Sequence, residues 1–122
     1  MRLDDIADKA VIVTGASQGI GEAVARGFAE AGARVVVHYR SGKEAADAVV
    51  AEIVANNGTA ISMPAALDQP DEVERLVSDT AQAFGTVDIL INNAGSFPNA
   101  ALLDISPDHW RRMYAGNVVW PR

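Results

Sequence analysis

Val11-Ile12-Val13-Thr14-Gly15-Ala16-Ser17-Gln18-Gly19-Ile20-Gly21 is the stretch whose reading decides the fold. It opens as an uninterrupted apolar, β-branched run, which suits a strand buried on both faces. It then turns through glycines into Ala23 to Ala31, where good helix formers resume. A strand, a Gly-rich turn and a helix N-terminus in that order make a phosphate site, because unpaired N–H groups and the positive end of the macrodipole both point at the turn. Gly15 lets the chain leave the strand sharply, Gly19 lets backbone approach a pyrophosphate, and Gly21 lets the helix pack closely on the sheet. The spacing is Gly-x-x-x-Gly-x-Gly and departs from the usual Gly-x-Gly-x-x-Gly dinucleotide fingerprint. Three glycines alone would equally serve a tight βα turn that binds nothing; the strand before, the helix after and the motifs below favour the phosphate site.

Working outward, Gly32 is where the first helix should stop, and Arg34 to Tyr39 reads as a second buried strand. Lys43 to Asn56 follows as a helix, and Ala60 to Met63 as a short third strand. Pro70 to Phe84 is the third helix, with Pro70 in its first turn, Asp71 and Glu72 near its positive end, and Val73, Leu76, Val77 and Phe84 spaced for one face. Val87 to Ile91 is the fourth strand, followed by a loop over Asn92 to Ile105. Ser106 then caps a last helix, with Pro107 at its first position, that runs through Trp110, Met113, Tyr114 and Asn117. Strands alternating with helices imply a parallel sheet with right-handed crossovers. The expectation is an α/β chain, one domain over 1–122, with a Rossmann-like doubly wound parallel sheet of four strands ordered 3-2-1-4.

Composition narrows the partners. The chain has 122 residues, 49% of them hydrophobic and 21% charged, which fits one soluble domain with a core. Its formal net charge of -6 argues against nucleic acid or an anionic membrane surface as a partner. Without cysteine there is no disulfide, thiolate nucleophile or cysteine metal site, and no metal is expected. Met1 to Ala10 carries Asp4, Asp5 and Asp8 and no apolar core, so it does not read as a signal peptide, and a cytoplasmic location is expected.

Thr14 to Gly21 resembles the cofactor turn of the short-chain dehydrogenase/reductase family, and the resemblance extends along the chain in the right order. Asn92-Asn93-Ala94-Gly95, directly after a strand, resembles the family's Asn-Asn-Ala-Gly signature. It implies that Gly15, Ser17, Gln18, Gly19, Ile20 and Gly21 form the cofactor turn, and that Asn93, Ala94 and Gly95 line the cofactor site. Leu67 and Asp68 match the segment whose acidic residue contacts the adenine amino group; a cap or a solvated carboxylate is the alternative for Asp68. Asn117 matches the Asn that supports a water-linked proton relay, unless it is an incidental mid-helix residue. Trp110 and Met113 read as core or interface, and His38 and His109, lacking any ligand constellation, as structural or exposed.

The end of the second strand sets the choice of cofactor. Folds that choose NAD usually place a carboxylate there for the ribose 2′-OH, whereas an Arg accommodates the 2′-phosphate of NADP. Tyr39 stands at the acidic position and Arg40 follows. A guanidinium grips a phosphate through two hydrogen bonds, so Arg40, helped by Ser41 and Lys43, points to NADP over NAD.

Family chemistry also requires a Tyr acting as acid or base, a Lys four residues later and a Ser. An unperturbed Tyr, with a pKa near ~10, is a poor base at neutral pH. The one match to Tyr-x-x-x-Lys, Tyr39 to Lys43, lies in a turn at the adenosine end and is rejected; Tyr114 is followed four residues on by Val118. The resemblance places the catalytic segment beyond Arg122, so the expectation is the cofactor-binding half of an alcohol/ketone oxidoreductase, truncated before the later strands and inactive alone. The alternatives are a non-catalytic dinucleotide-binding module and a fragment that pairs with another chain. An unpaired edge on the fourth strand and the apolar last helix point to a homo-oligomer, or to pairing with the missing C-terminal half.

Overall fold

The computed structural model describes residues 5–93. Ala94, Gly95, Asn117 and the helix expected from Ser106 lie outside the described residues.

Seven elements alternate strictly: β1 (Ala10–Val13), α1 (Gly19–Glu30), β2 (Arg34–Tyr39), α2 (Lys43–Ala55), β3 (Thr59–Pro64), α3 (Pro70–Phe84) and β4 (Ile89–Ile91). The strands form one parallel sheet in the order β3-β2-β1-β4. β1 is fully buried along its length, as its unbroken apolar run requires.

Pleat alternation divides the core in two. Ile12, Val36 and Leu90 point to one face and pack with Val73, Leu76 and Val77 of α3. Val11, Val13, Val35 and Val37 point to the other and pack with Ala25 and Ala29 of α1 and Ala46, Val49 and Ile53 of α2. Each helix buries residues three or four apart, the stripe that a 3.6-residue period produces. Helices on both faces make the sheet doubly wound. After β1 the chain moves outward through β2 and β3, and then returns through α3 to place β4 on β1's other side. The strand order therefore reverses between β1 and β4, the kind of switch point at whose carboxyl ends doubly wound sheets bind their ligands.

Element boundaries differ from expectation where tertiary contacts outvote propensity. α1 begins at Gly19, four residues before Ala23, because the turn itself sets the helix start: Gln18 is extended and Gly19 sits at φ 63°. β4 begins at Ile89, after Val87 has entered the α3-side core. Asp88 closes that ladder from below, donating its N–H to the Ala10 carbonyl at 2.9 Å and accepting the Ala10 N–H on its carboxylate at 2.8 Å. β3 extends to Pro64, which an outer strand of the sheet tolerates. Among the described residues β4 is the opposite outer strand, and no helix is long and apolar enough to cross a membrane.

Candidate functional site

The turn after β1 is fixed from three sides before any ligand is considered. Its first residue, Thr14, is fully buried and continues the ladder, donating its N–H to the Ile91 carbonyl at 3.0 Å. Its hydroxyl accepts the Asn93 N–H at 2.8 Å and has the Ile91 carbonyl and the Asn92 side-chain oxygen at 3.3 Å, so its single hydrogen is shared between two acceptors. One hydroxyl thus ties the end of β4 to the end of β1, at the point where the strand order reverses.

Gly15 and Gly21 explain each other. Gly15 stands at φ 61°. An added Cβ on Gly21 would overlap the Gly15 carbonyl oxygen and the Asn93 amide nitrogen, and would lie 2.9 Å from the Gly15 carbonyl carbon. Gly21 is therefore required by the turn folded back over the helix start, and less by the sheet beneath. Asn93 donates from its side-chain amide to the same Gly15 carbonyl at 3.3 Å, which holds that carbonyl over Gly21. Gly19 differs: nothing lies within 4 Å of an added Cβ, and only its left-handed φ demands glycine. Open space beside an α-helix N-terminus is what a phosphate group needs. Ser17 is half-buried at its rim, Gln18 is exposed, and Ile20 is 76% exposed, unusual for a large apolar side chain.

The third brace is His38, near the end of β2 and 1% exposed. Its Nδ1 accepts the Gly15 N–H at 3.0 Å, and its Nε2 lies 2.9 Å from the Ala65 carbonyl. Backbone bonds run alongside: the Ala16 N–H donates to the His38 carbonyl at 2.9 Å and the Ala65 N–H to the Tyr39 carbonyl at 3.1 Å. Burial pushes the imidazole pKa down, partly opposed by the bond to Ala65.

Beyond His38 the sheet edge offers a second cluster. Tyr39 is buried in the core shared with α1 and α2, and Arg40 is the exposed side chain at this strand end. Leu67 is likewise a core residue on the α3 face, leaving Asp68 as the exposed group of its segment. Arg40 and Asp68 meet, with the guanidinium 3.4 Å from the carboxylate. Lys43 is instead engaged by Asp47 at 2.6 Å, which also accepts from the Ser62 hydroxyl at 2.6 Å; the bond to Lys43, with Ser62 adding to it, lowers the Asp47 pKa.

The structure thus brings together Gly15, Ser17, Gln18, Gly19, Ile20, Gly21 and Asn93 at the switch point, and Arg40 and Asp68 further along the same edge. Two contributors escaped sequence reasoning. Thr14 was legible as the first residue of the turn but not as the hydroxyl that ties it to Asn93, and nothing in the sequence distinguishes His38 from an ordinary strand histidine. The grooves lined by Arg26, Glu30, Asn56 and Gly58, and by Asp8, Gly32 and Asn57, lie at the amino ends of the strands, away from this edge.

The pattern that defines the short chain dehydrogenase family matches residues 9–119. The chain is 44% identical over 111 residues to an uncharacterised oxidoreductase of Methylorubrum extorquens, covering 91% of this chain and 45% of that protein. It is 45% identical over 108 residues to a 3-oxoacyl-[acyl-carrier-protein] reductase of Synechocystis, covering 88% and 44%. Among solved structures, a short chain dehydrogenase from Burkholderia cenocepacia in complex with NADP superposes with a TM-score of 0.72 at 42% identity, covering 85% of this chain and 42% of that one. The chain spans less than half the length of these relatives.

Proposed function

The chain belongs to the short-chain dehydrogenase family, and on that premise we propose that it binds NADP and serves an oxidoreductase that interconverts an alcohol and a ketone. Support for a dinucleotide comes from the open cradle at Gly19 beside the α1 N-terminus, closed behind by the contact between Gly21 and the Gly15 carbonyl. The N–H groups of that turn take the pyrophosphate, and Asp68 faces the adenine. When bound, the nicotinamide supplies the hydride. This chain's own residues hold the other end of the molecule, with Thr14 and Asn93 keeping the turn rigid while the charge is bound.

One observation carries the choice of NADP: at the end of β2 the exposed side chain is Arg40, while the residue at the usual carboxylate position, Tyr39, is turned into the core. Asp68, a carboxylate paired with Arg40, belongs to the adenine side. The single Tyr-x-x-x-Lys match is given no part in proton transfer, because it sits at the adenosine end with its Tyr buried. Equilibrium titration of the wild type and of Arg40→Asp with NADP+ and NAD+ tests the reading. We expect NADP+ to bind more tightly to the wild type and the preference to vanish or invert in the variant; unchanged selectivity removes Arg40 from the site.

A further inference from the structure

His38 is buried at the centre of the edge that carries both halves of the site, and dinucleotide binding as described above assigns it no task. A backbone N–H only donates and a carbonyl only accepts. With Gly15 N–H at 3.0 Å from Nδ1 and the Ala65 carbonyl at 2.9 Å from Nε2, both partners demand one species: the neutral ring with its proton on Nε2. An imidazolium would set an Nδ1–H against the Gly15 N–H, donor against donor, in a site closed to water.

Resting on the NADP reading above, we propose that His38 is a positioning residue for the cofactor: its neutral imidazole locks the Gly-rich turn to the loop after β3, so that the pyrophosphate and adenosine ends of one NADP are engaged together. The ring is a side-chain link between these two segments. Gly15 opens the turn that leads to Gly19, and Ala65 opens the loop that leads to Leu67 and Asp68. Just past the end of β2, the next exposed residue is Arg40. A rotation of the ring would loosen the turn and the loop at once, whereas the backbone bonds from Ala16 and Ala65 tie each of them only to β2.

Protonation breaks the lock. Burial lowers the pKa of the ring; the charged groups on the elements around it, Arg40, Asp68 and Glu72, are not among the causes. Cofactor affinity therefore holds at neutral pH and falls in acid as His38 takes up a proton.

Two substitutions separate the ring's two ends. His38→Asn keeps an acceptor at the position of Nδ1 and cannot become charged, while His38→Gln reaches toward Ala65 and leaves the Gly15 N–H without its acceptor. NADP+ affinity is measured on the chain from pH 8 to pH 5. At pH 7.5 each folded variant should lose about tenfold, the scale of one unsatisfied buried polar group, because each keeps only one end of the link: His38→Gln leaves the Gly15 N–H, and His38→Asn the Ala65 carbonyl, without its partner. The acid titration of the cofactor's own phosphate is common to all proteins, so the ratio of wild-type to His38→Asn affinity isolates the ring, and it should fall with pH. Nitrogen chemical shifts of the His38 ring should report the Nε2–H tautomer. A folded His38→Gln or His38→Asn with wild-type affinity at pH 7.5, a pH-independent ratio or an Nδ1–H tautomer overturns the role of His38 alone. Should His38→Gln not fold, the ratio and the tautomer decide. Absence of NADP+ binding by the wild type overturns the NADP reading and this role with it.

Discussion

Gly21→Ala adds one methyl group at the point where turn and helix are closest. The new Cβ overlaps the Gly15 carbonyl and the Asn93 amide. The Asn93 side chain can swing aside, at the loss of its hydrogen bond to Gly15, about 1 kcal/mol. The Gly15 carbonyl cannot swing, because the turn is pinned by His38 through the Gly15 N–H and by the Ala16 N–H on the His38 carbonyl. Forcing a methylene into such a contact costs about 1–3 kcal/mol. Against this, Ala is the better helix former by about 1 kcal/mol. The net is a destabilisation of about 1–3 kcal/mol, with a melting temperature lower by several degrees. Two other glycines of α1 act as controls. At Gly27 an added Cβ meets nothing within 4 Å and φ is ordinary, so Gly27→Ala should stabilise by about 0.5–1 kcal/mol. At Gly19 the space is equally open but φ is +63°, so Gly19→Ala should cost about 1–2 kcal/mol through backbone strain alone. Chemical denaturation of the three variants beside the wild type, with NADP+ affinity on the same samples, gives the order. Gly21→Ala matching Gly27→Ala in stability and affinity would refute the packing argument.

Thr14→Val removes a hydroxyl that accepts the Asn93 N–H, and should cost about 1–3 kcal/mol in denaturation, with Thr14→Ser restoring most of it. Asp68→Asn breaks a half-exposed ion pair, so stability should change by less than about 1 kcal/mol. The ratio of NADP+ to NAD+ affinity should rise in that variant, since Arg40 no longer shares its charge and any lost adenine contact is common to both cofactors; a falling ratio would contradict the arrangement. Because the folded protein holds His38 below its usual pKa, the unfolded chain binds that proton first. Its contribution to stability is therefore present above about pH 6.5 and is lost as pH falls from there to the folded-state pKa. Urea titrations at several pH values should show this segment in wild type and not in His38→Asn.

The sheet was legible because β1 and β2 are continuous apolar runs and each helix carries a stripe at the right period. The bounds of β2 and α3 agree residue for residue with the sequence reading. The start of α1 was not legible, since propensity counts residues and the turn is set by contacts from Asn93, 78 positions away. The glycine spacing located the turn, yet the role of Gly21 is different in kind from the sheet packing its position suggests. Arg40 was legible as a candidate because charge at a strand end is a local signal. The bonds made by His38 and by the Thr14 hydroxyl were not legible, because their partners are distant in sequence. Tyr39 and Leu67 illustrate the converse: adjacency to a site in sequence says nothing about which way a side chain on a strand end turns, and both turn into the core.

The most direct test of the site is an amide-shift titration of the isotopically labelled chain with NADP+. The account predicts the largest shifts at Ser17 to Gly21, with a second group at Arg40 and Asp68. Shifts confined to Asp8, Gly32, Asn57 and Gly58 at the other end of the strands, or no saturable shifts at all, would contradict it.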